Sequence, residues 1–530
     1  IHGRSTADDF EVFVSEGDEV KVGTKLAQTK GGLFVPIYSS VSGVYRGTAK
    51  RMHNSMRPQV HMVIEPDGKQ ETIQAFEPKD YTSLTEQECV DFVKEAGIIG
   101  LGGAGFPTYV KYGKPDGVQC VLINAVECEP YITADYRNVM DDVDDLITGC
   151  LIMKKMAKVD TVYVCIKESH PDLIEKVKAA CKDGVQVRPV PDVYPMGWER
   201  VLVREILHKE YGMLPAEAGA IVDNATTAIA MARAFRLGEP IVRKTITVSG
   251  DGVKNPMNVS VPVGMPVNEI IAACGGYTCD SVRLIAGGPM MGNIGTGAQP
   301  VTKTTNAILV LPKDHHIIQK KLKKNSIDMK RAAACCCQCT MCTDLCPRHL
   351  LGHPIEPNKF MLAATCKDVQ EPNIFINTLF CSSCGLCEMY SCFQGLSPRS
   401  LMAEYKGGLR ANGIRPPKVE AKPVGPEREY RKVPMERLMA RLDLTRYNRE
   451  APLDESAVPV KTVRILLSQH IGAPASAIVK AGDMVTKGQM IAEPGKGLSV
   501  GIHASVNGLV TEVNEKYIVI ESQEGRAGNE

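Results

Sequence analysis

Neither sign of charge predominates in this 530-residue chain: 62 basic against 61 acidic side chains leave a formal net charge of +1. That balance excludes a chain held to nucleic acid by bulk charge, and equally an acidic disordered tail. Long apolar runs are missing too; none approaches the ~18 residues of a membrane-spanning helix. Nor are the cysteines scattered as in a short disulfide-stapled secreted chain. There are 19, an odd count, and eleven crowd between residues 335 and 392, which points to metal chemistry in a reducing, cytoplasmic compartment. The rest is ordinary globular composition, 44% hydrophobic and 23% charged. Such a chain builds packed cores, and at roughly 100–200 residues per domain it holds three to five domains.

An internal repeat brackets the chain. Displaced by 465 residues, Val14–Gly43 overlies Val479–Gly508 without a gap, and thirteen of thirty positions are identical, Gly17, Asp18, Gly23 and Gly43 among them. Both copies read as short alternating strands broken by Gly-Asp turns. The pattern is similar to the barrel-sandwich fold of biotinyl and lipoyl carriers, but Gly32 and Gly497 stand where a carrier needs its lysine. Two structural or docking modules are therefore expected, one at each end (1–68 and 462–525).

Between them the pattern is α/β. A helix is expected over Leu84–Ala96, strands over Cys120–Ala125, Thr161–Ile166 and Val185–Val190, and helices over Asp135–Met156, Pro171–Lys182, Trp198–His208 and Ala216–Phe235. Alternation of this kind predicts a parallel sheet over 84–240, with ligand sites at the carboxyl ends of its strands. Short strands with Gly-rich turns at Gly250–Gly252 and Gly287–Gly292 fill 241–312, and the cysteines fall in a mostly helical segment, 314–410. Residues 411–461, rich in proline and charge, read as a tether lying over another domain.

The strongest chemical signal is Cys336-x2-Cys339-x2-Cys342-x3-Cys346-Pro347, followed by Cys381-x2-Cys384-x2-Cys387-x4-Cys392. Thiolates at this spacing wrap a cube of iron and sulfide, and the fourth cysteine of each run usually ligates the other cluster of a pair. Crossed in that way, Cys336, Cys339, Cys342 and Cys392 hold one [4Fe–4S] cluster, and Cys381, Cys384, Cys387 and Cys346 the other. Zinc, the alternative, rarely uses such a triple run. The second run carries one extra residue before its last cysteine, and Phe393 stands where proline is usual. Cys335 and Cys337 alternate with a ligand and are expected to point away.

The second signal is Gly100-Leu-Gly-Gly-Ala-Gly-Phe-Pro-Thr-Tyr-Val-Lys111. Glycines let backbone amides approach a phosphate, and a helix start behind them adds partial positive charge. Alone, such a run is often only a turn. Here the strand after it ends in Asn124-Ala-Val-Glu-Cys-Glu-Pro130, an amide and two carboxylates placed for a flavin ring and a ribose.

Gly100–Lys111 together with Asn124–Asp135 resembles the NADH-binding flavin subunit of respiratory NADH dehydrogenase. The stretches Glu127–Asp135, Tyr194-Pro-Met-Gly-Trp-Glu199 and Gly287-Gly-Pro-Met-Met-Gly292 narrow the resemblance to the RnfC/PduS branch, over about residues 85 to 400. The N-terminal module looks RnfC-like; the sequence from Cys342 to Pro357, the four-residue gap before Cys392 and the C-terminal module look PduS-like. The resemblance implies a Rossmann-like FMN domain, a β-grasp domain of the SLBB type and a ferredoxin-like pair of clusters, within a multidomain α/β chain.

By position the resemblance turns Gly102, Gly103, Gly105, Phe106 and Lys111 toward nucleotide and phosphate, with Phe106 stacking on adenine. Asn124 is implied to bond the isoalloxazine, Glu129 to meet NADH, and Glu127 and Asp135 to line the same site. Gly197 and Glu199 fall on the loop beneath the flavin, and Asp223 and Asn224 at the helix start that holds the FMN phosphate. Trp198 departs from the respiratory protein, which has a carboxylate there. The implied function is hydride transfer from NADH to FMN with no side chain acting as acid or base. Single electrons then pass through two clusters to a partner: another member of a complex, a ferredoxin or a flavodoxin. Two rivals stand beside it. One is a corrinoid reductase, working in the cytoplasm or a bacterial microcompartment, although the sequence shows no His-based cobalamin signature. The other is a non-catalytic wiring protein, against which Gly103, Lys111, Asn124 and Glu129 speak together.

Overall fold

The structure, a computed structural model, describes residues 10–30, 34–52, 58–67, 71, 75–103, 105–367, 370–418, 422–445, 462–467, 476–486, 489–493, 502–503 and 508–522. Positions 32 and 497, where a carrier lysine would stand, lie outside them.

The flavin-type domain is built on a parallel sheet in the order Ala220–Asn224, Cys120–Asn124, Thr161–Lys167, Val185–Val190. Its central strand Cys120–Asn124 is buried at its first four positions, as a parallel strand covered on both faces must be. Helix Val143–Ala157 packs against helix Ala225–Leu237 on one side. That contact needs a backbone approach so close that a Cβ on Gly149 would sit 2.0 Å from the Ala228 carbonyl. The helix expected over Ala216–Phe235 is divided. Pro215–Ala218 forms a 3-10 turn, Ala220–Asn224 is a strand, and the helix begins at Ala225. A short apolar run does not reveal its period, and here Ala-Ile-Val gains a ladder against Cys120–Leu122. The helix expected over Asp135–Met156 also breaks, at Asp142, into Ala134–Asp141 and Val143–Ala157.

Residues 243–312 form a mixed sheet in the order Met257–Pro262, Arg243–Ser249, Ala307–Pro312, Val282–Ala286, Asn293–Gly295, closed by helix Val267–Ala273. The cysteine segment comes next as short helices, chiefly Asn325–Cys335, Pro357–Cys366 and Pro398–Ala411.

Each end unit is a pair of small sheets. The first joins Phe10–Val12, Lys25–Thr29 and Pro36–Tyr38 in one sheet and Glu19–Val20, Gly43–Met52 and Pro58–Pro66 in the other. The repeat survives in hydrogen bonds displaced by the same 465 positions. Asp18 Oδ2 accepts from Ser15 N at 2.7 Å as Asp483 Oδ2 accepts from Lys480 N at 2.8 Å. Gly17 N donates to Tyr45 O as Gly482 N donates to Val510 O.

The two units are not remote from each other. Strands Met490–Glu493 and Ile502–His503 pack on Gly43–Met52 and Pro58–Pro66, and Glu493 lies in the field of the buried Arg46 guanidinium. The described part of residues 411–461 packs on other domains. Val433 and Pro434 pair with Tyr194 and Val193, and helix Met435–Arg441 comes directly after. Leu438, Leu442 and Leu444 are fully buried in a core shared with Ile285, Met290 and Leu309. Arg428 and Lys432 hold Glu205. Prolines and charges in this stretch signal a lack of regular structure, and its leucines supply the anchoring that composition alone hides.

Candidate nucleotide and cluster sites

The ends of strands Cys120–Asn124 and Ala220–Asn224 stand side by side, with Asn224 in register with Asn124. Asn224 caps helix Ala225–Leu237, accepting from Thr226 N at 3.0 Å, while its Nδ2 donates to Asp135 Oδ2 at 2.7 Å. Asp135 also accepts from Thr226 Oγ1 at 2.7 Å. The glycine loop leans on this corner, so a Cβ on Gly102 would sit 2.5 Å from Asn224 Nδ2. Gly103 faces open space and Gly105 adopts φ +66. Phe106 is half-buried, and Leu101 N is held by Thr227 Oγ1 at 3.0 Å.

One turn later Lys111 donates to Asp223 Oδ1 at 2.7 Å, and Tyr112 donates to Asp223 Oδ2 at 2.7 Å. Glu199 faces the same lysine and accepts from Tyr211 Oη at 3.2 Å; burial nevertheless raises its pKa above the ordinary range. Asn124 Nδ2 donates to Gly197 O at 2.8 Å, tying the strand end to the Tyr194–Glu199 loop. That loop passes so near that a Cβ on Gly197 would meet Val126 O at 2.2 Å. Glu127 is pushed well above the ordinary carboxylate range by burial, then by Asp135 and Glu129. The structure thus brings the residues expected from sequence together in one corner, where Glu129 is also held by a neighbouring domain. Both oxygens of Glu129 are taken by backbone amides of the Gly287–Gly292 loop, Met290 N at 3.0 Å and Met291 N at 2.7 Å.

Two cations are not apparent from sequence. Lys244 is 3% exposed, donates to Leu101 O at 3.2 Å and lies in the field of Asp135 and Glu127. Burial lowers its pKa. Arg348 is 9% exposed and lies between the rings of Trp198 and Phe380, 5.6 Å from each centroid. Burial, then Arg348 and Arg200, push His353 down to about 3. The sequence signal for Arg348 is its place two residues after Cys346; nothing marks Lys244 beyond its alternation with buried residues.

The cluster cysteines fall into two groups. A cavity is ringed by Cys336, Cys339, Cys342 and Cys392, with Cys337, Asn358 and Met361 also on its wall. The thiols facing Cys342 electrostatically are Cys392, Cys339 and Cys336, whereas Cys387 faces Cys381, Cys384 and Cys346. The extra residue before Cys392 is absorbed by a π-helical turn, Cys387–Ser391. A π-bulge admits one residue without losing register with the segment beyond it, so Cys392 still reaches the first group. Burial pushes the Cys342 thiol up to about 12 and Cys384 up to about 11, and a metal or cluster would bind them as thiolates with release of their protons. Among the described residues no three His, Cys, Asp or Glu side chains converge as they would on a single ion. Four thiols spaced around a cavity suit a cubane. Cys337 is exposed on the rim, and Cys335 ends helix Asn325–Cys335, packed on the domain core.

Comparison with known proteins matches four family models along the chain. Residues 93–233 match the Nuo51 FMN-binding domain, 245–293 the SLBB domain and 335–397 the 4Fe-4S dicluster domain. Residues 4–69 and 445–526 match the RnfC barrel sandwich hybrid domain. Cobalamin reductase PduS of Salmonella typhimurium is 37% identical over 445 residues, covering 83% of this chain and 97% of that one. The chain belongs to the RnfC/PduS family. Two further relatives are less similar than this one. A component of the proton-translocating ferredoxin:NAD(+) oxidoreductase complex of Clostridium ljungdahlii is 34% identical, covering 64% of this chain and 73% of that one. A component of the ion-translocating oxidoreductase complex of Vibrio cholerae is 32% identical, covering 65% and 44%. As in the family, the chain is a flavin and iron–sulfur oxidoreductase, with FMN and two [4Fe–4S] clusters as its cofactors. Among the described residues no helix is long and apolar enough to cross a membrane.

Proposed function

We propose that this chain oxidises NADH and delivers single electrons to a partner protein within a larger complex on the cytoplasmic side. The observation that carries the reading is a bond between domains: Tyr194, on the loop tied to Asn124, donates to Cys384 O at 2.6 Å. Nucleotide corner and cluster cysteines are thus one structure. When bound, FMN converts a hydride into single electrons and the two clusters conduct them.

The chain's own residues orient and neutralise. In a Rossmann-like reading of 84–240, the amides of Gly102, Gly103 and Gly105 and the helix start at Asn224 cradle phosphate, with Asp223 holding Lys111 beside them. Phe106 stacks on adenine, Asn124 meets the ring system, and Gly197 and Glu199 form its floor. Glu127, whose pKa is raised by burial and by Asp135 and Glu129, lines the same site, and Asp135 braces Asn224. Glu129, held by the Met290 and Met291 amides, presents its remaining lone pairs to dinucleotide. Cys336, Cys339, Cys342 and Cys392 hold one cluster, and Cys346, Cys381, Cys384 and Cys387 the other. Residues 241–312 are the β-grasp spacer between the two sites.

The test is direct. Purified anaerobically, the chain carries about eight iron and eight sulfide, and NADH alone bleaches its yellow colour. Zinc in place of iron, or a colour unmoved by NADH, defeats the reading. A second reading, reduction of a corrinoid, is favoured by the PduS relative, 97% of whose length this chain covers. NADH-dependent reduction of cob(III)alamin by the chain alone, at a rate matching its ferredoxin reduction, would select it.

A further inference from the structure

The two thiol groups have different surroundings. Around Cys346, Cys381, Cys384 and Cys387 some of the contacts come from other domains. Tyr194 bonds Cys384 O. Arg348, two residues after Cys346, lies against Trp198 of the same loop and against Phe380, the neighbour of Cys381. Gly385 approaches Met290 O so closely that a Cβ there would lie 3.2 Å away. Around Cys336, Cys339, Cys342 and Cys392 the cavity wall is made wholly of residues 336–398. Its rim reaches solvent: Cys337 and Cys339 are exposed, Met341 beside them is 38% exposed and Phe393 is 59% exposed. None of the residues lining that cavity is Asp, Glu, Lys or Arg.

Electron tunnelling weakens steeply with distance, so the cradle nearest the flavin loop receives and the cradle nearest the surface delivers. We infer that Cys346, Cys381, Cys384 and Cys387 form the flavin-side cradle, that Cys336, Cys339, Cys342 and Cys392 form the outlet, and that a one-electron redox protein docks over Cys337, Cys339, Met341 and Phe393. The inference rests on the NADH-oxidising reading and adds direction to it. NADH gives up a hydride and becomes NAD+. The hydride's electron pair leaves the outlet one electron at a time, reducing two acceptor molecules by one electron each, and its proton goes to solvent. The cavity lining without Asp, Glu, Lys or Arg, together with the exposed Met341 and Phe393, selects an acceptor whose redox centre is framed by uncharged, apolar side chains. Reduction of that acceptor therefore depends little on salt, because steering by charge is what ionic strength weakens.

The experiment is anaerobic electron paramagnetic resonance on the full chain and two variants, Cys384→Ser and Cys339→Ser, with NADH or dithionite as reductant. In Cys339→Ser, NADH reduces the remaining cluster. In Cys384→Ser the remaining cluster stays oxidised with NADH and is reduced by dithionite. The opposite pattern overturns the order while leaving NADH oxidation itself intact, whereas a flavin that NADH cannot reduce in the unaltered chain defeats the underlying function instead. A third variant, Phe393→Lys, changes an exposed side chain and spares the fold. With a [2Fe–2S] ferredoxin whose potential lies above that of NADH as probe, its reduction falls about tenfold, as for a central apolar contact, while both cluster signals persist. Ferredoxin reduction unchanged in Phe393→Lys, or falling steeply with salt in the unaltered chain, removes the docking face.

Discussion

Two groups of four cysteines in one small domain carry nearly the same motif and sit in opposite settings. One is clasped by the flavin-type loop and the Gly287–Gly292 loop; the other is walled by its own domain and opens to water. The motif encodes the ligands, and the neighbouring domains decide what each set is for. The difference also explains why Met290 is fully buried in an otherwise glycine-rich turn. Its carbonyl accepts from Arg399 at 2.9 Å and Lys321 at 3.3 Å while its amide donates to Glu129, so three domains meet on one residue.

The largest expected effect breaks the comparison chemically. Treated with ferricyanide and a chelator, the chain should release iron in two well-separated steps of about four atoms each, the fast one from the outlet. Cys339→Ser should show only the slow step. Simultaneous release would mean that the two settings do not differ in access.

Next is the clasp itself. Glu129→Ala leaves two amides without their carboxylate, a loss of about 3 kcal/mol by the usual cost of charge-assisted bonds, and thermal melting should record it. Glu129→Gln should recover part of it. A variant as stable as the parent but with a raised KM for NADH would return Glu129 to the dinucleotide.

Legibility in the sequence differs by residue. Cysteine spacing foretells both groups, and even the irregular gap before Cys392 has a physical answer in the π-helical turn. The Gly100–Lys111 run and Asn124 are legible because a cluster of glycines and an amide at a strand end stand out as residue types in the sequence. Strand Ala220–Asn224 reads as helix from sequence because Ala-Ile-Val carries no period. Leu438, Leu442 and Leu444 are invisible as anchors because their partners, Ile285 and Leu309, are distant in the chain and brought near only by folding. Glu129 illustrates the same limit, since its neighbours Met290 and Met291 are set by domain packing alone.

A smaller effect concerns pH on the nucleotide side. Glu127 ionises at higher pH in the folded chain than in the unfolded one, because burial, Asp135 and Glu129 oppose its charge. Its contribution to stability is full below about pH 4.5 and declines as pH rises toward the folded-state value. Glu127→Gln should therefore flatten the fall of melting temperature with rising pH. A parallel fall in both proteins would show that other groups control it.

The smallest effect on activity is expected at the ends. Deleting 462–530 uncovers strands Gly43–Met52 and Pro58–Pro66, so the first unit should become easier to digest with protease. NADH reduction of an artificial dye should persist, since the nucleotide corner lies in a separate core. Loss of dye reduction in a folded truncation would make the second unit part of the active core.

The most direct measurement is rapid anaerobic mixing with NADH, tracking flavin and cluster absorbance separately. The unaltered chain should show a fast flavin phase and then a cluster phase, and Cys384→Ser should keep the first and lose the second. Cluster absorbance that falls in Cys384→Ser at the parent's rate would contradict the account, because electrons would then be reaching the outlet without the flavin-side cradle.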